Sequence, residues 1–199
     1  MVGECGGITG VILAAGFSRR LGRPKQLLDY QGKPLLQWAI DTALNANLDE
    51  VLVVLGESAP TILPRLELGS ARDVMNERAI EGQSASIAKA VLVANPHRSG
   101  TLLMLGDQPA LTSEDLDLVV AAFDGRADAI SMISWQGDPR SPVVFGRGYD
   151  EELTELSGDT GARPLIRKHW SNVRLVEIDR PVPFDVDTEE DYKRLIGED

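Results

Sequence analysis

The sequence predicts an α/β protein built on a mostly parallel sheet with helices on both faces. Three observations carry this prediction. Short apolar runs recur at residues 8–15, 51–55 and 101–105; they are too short for typical helices, as strands buried on both faces are. Segments with helical spacing or helix caps separate these runs. The resulting strand–helix–strand rhythm is that of parallel crossover units.

Taken in order, residues 8–15 (ITGVILAA) form a buried strand bounded by glycines, and residues 16–24 form a loop of small and basic residues. Pro34 suits the first position of a helix, and Leu35, Leu36, Ala39, Ile40, Ala43 and Leu44 follow at helical spacing. Residues 51–55 (VLVVL) are a second strand, 60–66 a short helix, and 73–75 a brief strand ending at Asn76. Ser84 can cap a helix running towards Ala94. Residues 101–105 (TLLML) are the next strand, ending at Gly106 and Asp107. Thr112 and Asp115 match a capping box for a helix reaching Phe123.

Residues 129–134 are another strand, and beyond Trp135 the rhythm loosens. A turn is expected at 137–139, a strand at 142–145, a helix at 149–156, a break at 158–161, a helix at 162–169 and a strand at 173–178. Thr188 and Asp191 form a second capping box for a last helix reaching Ile196. With no internal repeat and no low-complexity linker, residues 1–199 read as one domain.

The chain has 199 residues, 43% of them hydrophobic and 26% charged, values near globular averages that exclude wholesale disorder. The formal net charge is −11. Such a surface repels a phosphate backbone, so nucleic acid and anionic membranes are not expected as partners. Cys5 is the one cysteine, which excludes an internal disulfide and a multi-cysteine zinc site; it is given no role. No apolar stretch approaches the length of a bilayer span. The leading residues MVGECGGITG lack the pattern of a signal peptide, so a cytoplasmic location is expected.

The segment LAAGFSRRLGRPK, residues 13–25, places Arg19, Arg20, Arg23 and Lys25 within seven residues of a strongly acidic chain. Ligands of open parallel sheets bind at the carboxyl ends of strands. Gly16 and Gly22 would let the backbone approach a ligand and adopt positive φ, with guanidinium forks converging on phosphate oxygens. The alternative is a solvated connector whose arginines offset local acids. The spacing is neither that of a Walker loop nor GxGxxG.

The segment resembles the LAAGxSxRxGxxK signature of the MobA-like nucleotidyltransferases, whose loop wraps a nucleotide triphosphate. The resemblance implies that Leu13, Ala14, Ala15 and Gly16 lie against the nucleotide. It also implies that Arg20 holds the phosphates and that Lys25 stabilises charge at the α-phosphate. Guanylyltransferases of the superfamily read LAGG here, so Leu13-Ala14-Ala15-Gly16 implies CTP over GTP.

Asp107 stands past the end of a strand in TLLMLGDQPAL, with Pro109 stiffening the turn. A carboxylate there is placed to hold Mg²⁺ with waters and substrate phosphates; it is equally a common turn residue. GDQP resembles the GDxP motif of molybdenum cofactor cytidylyltransferases, in which this aspartate binds the metal. FDVDTEEDY resembles the family's DIDTPEDY ending, which implies a second metal carboxylate. Asp187 is favoured over Asp185, although acids opening a helix also suit its dipole.

Gln83, Ser84 and Ser86 open a helix and resemble the family's segment near the base; Ser84 reads equally as an ordinary cap. Residues 158–163 (GDTGAR) are similar to the family's GDxGAR. They make Arg163 the candidate for the acceptor's phosphate. Where the family usually reads GHP this chain reads Arg140-Ser141-Pro142, so its usual histidine is missing. His97 and His169 lie outside any motif, and Trp38, Trp135 and Trp170 are expected to pack rather than to stack on a ligand.

Together the resemblance implies a three-layer fold related to nucleotide-diphospho-sugar transferases, with a nucleotide-binding amino-terminal half and an acceptor-binding carboxyl-terminal half. It implies a Mg²⁺-dependent enzyme transferring CMP from CTP to the phosphate of the molybdopterin cofactor, with Lys25, Arg20 and Asp107 as the catalytic set. Rival expectations are GTP or another NTP with a different phosphorylated acceptor, or a non-catalytic nucleotide-binding chaperone whose partner is a molybdoenzyme.

Overall fold

A computed structural model describes residues 6–18, 20–183 and 185–197. Cys5, Arg19 and Phe184 fall outside the described residues. In chain order the elements are β1 (Ile8–Leu13), the two-residue strands β2 (Asp29–Tyr30) and β3 (Lys33–Pro34), α1 (Leu35–Leu44), β4 (Glu50–Leu55), α2 (Ala59–Ile62), β5 (Arg72–Met75) and α3 (Gln83–Val93). There follow β6 (Gly100–Leu105), α4 (Ser113–Ala122), β7 (Ile130–Trp135), β8 (Asp138–Gly146), α5 (Asp150–Glu155), α6 (Arg163–Lys168), β9 (Val173–Ile178) and α7 (Glu189–Ile196).

Seven strands form one sheet in the order β5-β4-β1-β6-β8-β7-β9. Every pairing is parallel except those of β8, which runs against both β6 and β7. β1 lies inside the sheet because ITGVIL is apolar on both faces, which only a strand covered twice requires. The period-two alternation splits the core. Ile8, Ile12, Val51, Val53, Leu102 and Met104 pack under α1, α2 and α4. Val11, Leu52, Val54, Leu103 and Phe145 pack under α3, α5 and α6. The result is the expected three-layer fold. No helix of the described residues is long and apolar enough to cross a membrane.

A third, smaller cluster fastens the carboxyl end. Fully buried Val186 packs with Leu28 and Leu35, joined by Leu21, Tyr30, Tyr192 and Leu195. The amide of Val186 donates to the carbonyl of Asp107 (3.3 Å), and the Tyr192 hydroxyl donates to the carbonyl of Asp29 (2.7 Å). Both predicted capping boxes form, at Thr112 with Asp115 and at Thr188 with Asp191.

Several boundaries differ from the sequence reading for physical reasons. Pro34 is the N-cap of α1, not its first residue, because its extended backbone pairs with Asp29 in β3. The 60–66 helix is instead α2 followed by a 3₁₀ turn, Leu63–Arg65, with Pro64 inside it. The turn expected at 137–139 lies at Gln136 and Gly137, which both take positive φ (+49° and +85°). That is the geometry a two-residue hairpin loop demands. Asp138 and Pro139 already belong to β8, where only β7 pairs with them, so the missing N–H of Pro139 leaves no gap in a central ladder.

Ser84 does not cap α3. The N-cap is Gly82, at φ +108° and ψ −177°, a conformation essentially restricted to glycine. A Cβ there would lie 2.5 Å from the Gly158 carbonyl oxygen. Gly82→Ala is therefore expected to destabilise the fold by about 1–3 kcal/mol, measured as a lower urea midpoint with an unchanged slope.

Candidate active site

β1 connects to β4 on one side, through α1, and β6 follows β5 on the other side of β1, through α3. The chain thus reverses its direction of travel across the sheet between β1 and β6. Such a reversal opens a crevice at the strands' carboxyl ends. A cavity of about 1180 Å³ lies there. The loop after β1 supplies Ala14, Ala15, Gly16, Arg20 and Lys25 to its wall, and the turn after β6 supplies Asp107 and Gln108. The start of α3 supplies Gln83 and Ser86; Arg163 on α6 and Asp187 before α7 complete the rim.

The loop after β1 is held from within. Gln26, buried, donates through Nε2 to the carbonyls of Ala14 (2.7 Å) and Gly16 (3.1 Å). The Lys25 amide donates to Ser18 Oγ (2.9 Å), and Ser18 itself turns to φ +49°. Gly22 takes positive φ as expected (+65°). Gly16 does not, and a Cβ there would meet nothing within 4 Å, so its value is the space it leaves.

At the centre of the crevice the Lys25 ammonium donates to two carboxylates. One is Asp107, through Oδ2; the other is Asp187, through Oδ1 at 2.7 Å. The side chains of Lys25, Asp107 and Asp187 are 16%, 13% and 40% exposed. Arg20 Nη2 reaches the second oxygen of Asp187 (2.9 Å). Asp185 lines the same cavity but accepts from Gln108 Nε2 (2.6 Å) instead of from Lys25. Val186, buried between the two aspartates, keeps them on different partners.

Electrostatics follow the geometry. The hydrogen bond from Lys25, helped by Arg20, holds the Asp187 carboxyl below the usual aspartate range. Burial pushes Asp107 up; the ammonium of Lys25 opposes that shift, and the charges of Asp185 and Asp187 add to it. Burial alone would lower Lys25, but the two carboxylates outweigh it and raise the ammonium above the ordinary lysine value.

The carboxylate pair suits a hard divalent cation. Asp107 Oδ1 is buried without a hydrogen-bond partner, and Asp107 Oδ2 and Asp187 Oδ1 converge on one cation position. No group of three or more His, Cys, Asp or Glu side chains is placed to hold a metal ion among the described residues. Phosphate and water oxygens would complete such a shell, as is usual for Mg²⁺.

The MobA-like NTP transferase domain model matches residues 10–173. The chain belongs to that family. Among relatives of this MobA-like chain, the nicotine blue oxidoreductase of Paenarthrobacter nicotinovorans is 34% identical, over 95% of this chain and 96% of its own. The purine catabolism protein PucB of Bacillus subtilis strain 168 is 30% identical, over 93% and 94%. The structure of Rv0371c from Mycobacterium tuberculosis H37Rv in complex with manganese superposes with a TM-score of 0.84 and 34% identity, over 96% of this chain and 98% of that one.

Not every residue singled out from the MobA-like motifs reaches the cavity. Ser84 is completely buried and absent from the cavity wall, with Oγ unpartnered. It shares the buried face of α3 with Ile87 and Val91. Ser86, though buried, lines the cavity and accepts from Asn76 Nδ2 (3.0 Å). Arg23 is drawn off to Glu189 (2.9 Å) and lies over the Tyr192 ring, fastening the loop to α7. Trp135 packs in the core as expected, and Trp38 is half-buried against Tyr30. Trp170, by contrast, is 49% exposed and lines the cavity. Its position follows Arg163, Ile166 and Arg167 at helical spacing, which was the available signal. Gln26 and Gln108 were overlooked because glutamine carries no motif of its own.

Removing the ammonium would strand Asp107. Lys25→Met is expected to cost about 3–5 kcal/mol at neutral pH, the range for breaking a buried ion pair from one side. Burial raises the folded-state pKa of the stranded carboxyl above its unfolded value. The penalty is therefore full above the raised pKa and fades as acid protonates the group. Thermal melts of both proteins from pH 8 downward should converge on acidification; a constant gap would show that Asp107 does not depend on Lys25.

Proposed function

We propose that this MobA-like protein is a nucleotidyltransferase that moves CMP from CTP to the phosphate of the molybdopterin cofactor and releases pyrophosphate. The observation that carries this reading is the convergence of Lys25, Arg20, Asp107 and Asp187 at one end of the large crevice. Two anions must meet for such a transfer, and positioned positive charge is what the reaction requires. Leu13-Ala14-Ala15-Gly16, with the family's resemblance to cytidylyltransferases, supports CTP. Elsewhere on the cavity wall the Arg163 side chain is exposed and has no ion pair or hydrogen bond among the described residues, which supports a phosphate-bearing acceptor there.

In this reading an oxygen of the acceptor phosphate bonds to the α-phosphorus as the bond to the pyrophosphate oxygen breaks. Lys25 neutralises charge at the α-phosphate and Arg20 neutralises the leaving pyrophosphate. Gly16, lacking a side chain, admits the phosphates close to the backbone. Gln83 and Ser86 face the base end. Asp107 and Asp187 would hold Mg²⁺, which when bound withdraws charge from the triphosphate. Arg163 orients the acceptor, so that proximity supplies much of the rate.

A second reading draws on the 34% identity to the protein named nicotine blue oxidoreductase. The loop after β1 lacks the GxGxxG spacing of dinucleotide-binding folds, which favours transfer of a nucleotide over transfer of a hydride. Pyrophosphate release, followed for CTP, GTP, ATP and UTP with molybdopterin cofactor, is expected to be fastest with CTP. Turnover confined to GTP or to a sugar phosphate acceptor would reassign the substrates; dye reduction by a nicotinamide cofactor with no pyrophosphate would replace the reading.

Asp107→Asn is expected to abolish metal-dependent turnover while leaving the circular dichroism spectrum unchanged. Wild-type rates with the usual metal response would remove Asp107 from the site.

A further inference from the structure

The two carboxylates assigned to the metal are already occupied by a cation, the Lys25 ammonium. Its Nζ donates to Asp107 Oδ2 and Asp187 Oδ1 at once. Arg20 covers the remaining oxygen of Asp187, and Asp107 Oδ1 is left without a hydrogen bond. A divalent ion drawn by the same two oxygens would meet the ammonium at contact distance, where like charges repel strongly. Ammonium and metal therefore exclude each other.

The lysine is built to leave. Its backbone is pinned, because the amide donates to Ser18 Oγ and the 3₁₀ turn Lys25–Leu27 begins there. Gln26 is fixed in turn by two carbonyls of the loop. Only the side chain can move, and a lysine stem of four methylenes carries a compact charge over several ångströms. Leaving the carboxylates without a new anion would strand a buried charge. A triphosphate in the crevice supplies that anion.

We infer that Lys25 is the resident cation of the metal position in the nucleotide-free protein, and that its transfer from the carboxylates to a polyphosphate opens the position to the divalent ion. This rests on the reading of Asp107 and Asp187 as metal ligands and adds an order to it. The ion enters with the nucleotide rather than ahead of it. The empty-handed enzyme keeps its acidic pocket neutralised without metal.

Binding of Mn²⁺ to chelator-treated protein, read from loss of the free-ion electron paramagnetic resonance signal, tests this without turnover. In the absence of nucleotide, Lys25→Met should bind Mn²⁺ about 5–150-fold more tightly than wild type, the usual span of coupling between two competing events. Adding CTP should raise the Mn²⁺ affinity of wild type by a larger factor than that of the variant. Equal affinities without nucleotide, or weaker binding by the variant, overturn the inference.

Binding to Lys25→Met that survives a further Asp107→Asn change overturns the metal assignment itself and the inference with it. The choice of nucleotide and acceptor does not enter. If Lys25→Met does not fold, acetic anhydride labelling of wild type decides. At Mn²⁺ concentrations high enough for the resonance signal to show the nucleotide-free wild-type site filled, acetylation of Lys25 should increase relative to exposed Lys89 in peptide mass spectra; unchanged or reduced labelling of the filled protein overturns the inference.

Discussion

A carboxylate that is almost entirely out of water needs a cation, and the site is organised around meeting that need. Asp107 lies in the turn after β6, Lys25 in the loop after β1, and Asp187 just before α7. The three positions are separated by 82 and 162 residues from Lys25, yet a single ammonium joins them. Each element that delivers one member has a second anchor. Ser18 and Gln26 hold the loop, Gln108 holds Asp185 aside, and Val186 is driven into the third apolar cluster. Hydrophobic burial thus positions charges that would repel or disperse if left to themselves.

The sheet order makes this meeting possible. β1 and β6 are neighbours whose helical crossovers lie on opposite faces, so neither crossover covers the gap between their carboxyl ends. An apolar β1 is what keeps that gap at the middle of the molecule, because only a strand buried on both faces tolerates ITGVIL. The charged site therefore depends on side chains such as Val11 and Ile12, which lie in the core away from the cavity.

Much of this was legible in the residues. Short, largely apolar runs identified β1, β4 and β6, since burial on both faces removes polar alternation and few other local structures permit that at such length. Both capping boxes formed because they are local hydrogen bonds set by spacing alone. The clustering of Arg20 and Lys25 beside a strand end pointed to the crevice. Other features depend on tertiary neighbours. Ser84 has the composition of a cap, but Gly82 takes the cap position, and Ser84 is turned into the core. Arg23 looks like another phosphate ligand until Glu189, a long way along the chain, claims it. The start of β8 was hidden because Pro139 is a turn residue everywhere except on a strand flank with one neighbour.

The reversed strand has a further consequence. Because β8 runs against the rest of the sheet, its first residues reach the same rim as the last residues of β6, and the wall from Asp138 through Arg163 to Trp170 is one uninterrupted stretch of polypeptide. The loop after β1 supplies another part of the wall, and the opening of α3 abuts this stretch, the Gln83 amide donating to Asp159 Oδ1 (3.1 Å). Exchange of one continuous gene segment would thus replace that whole stretch of the wall while sparing the charged centre of Lys25, Asp107 and Asp187.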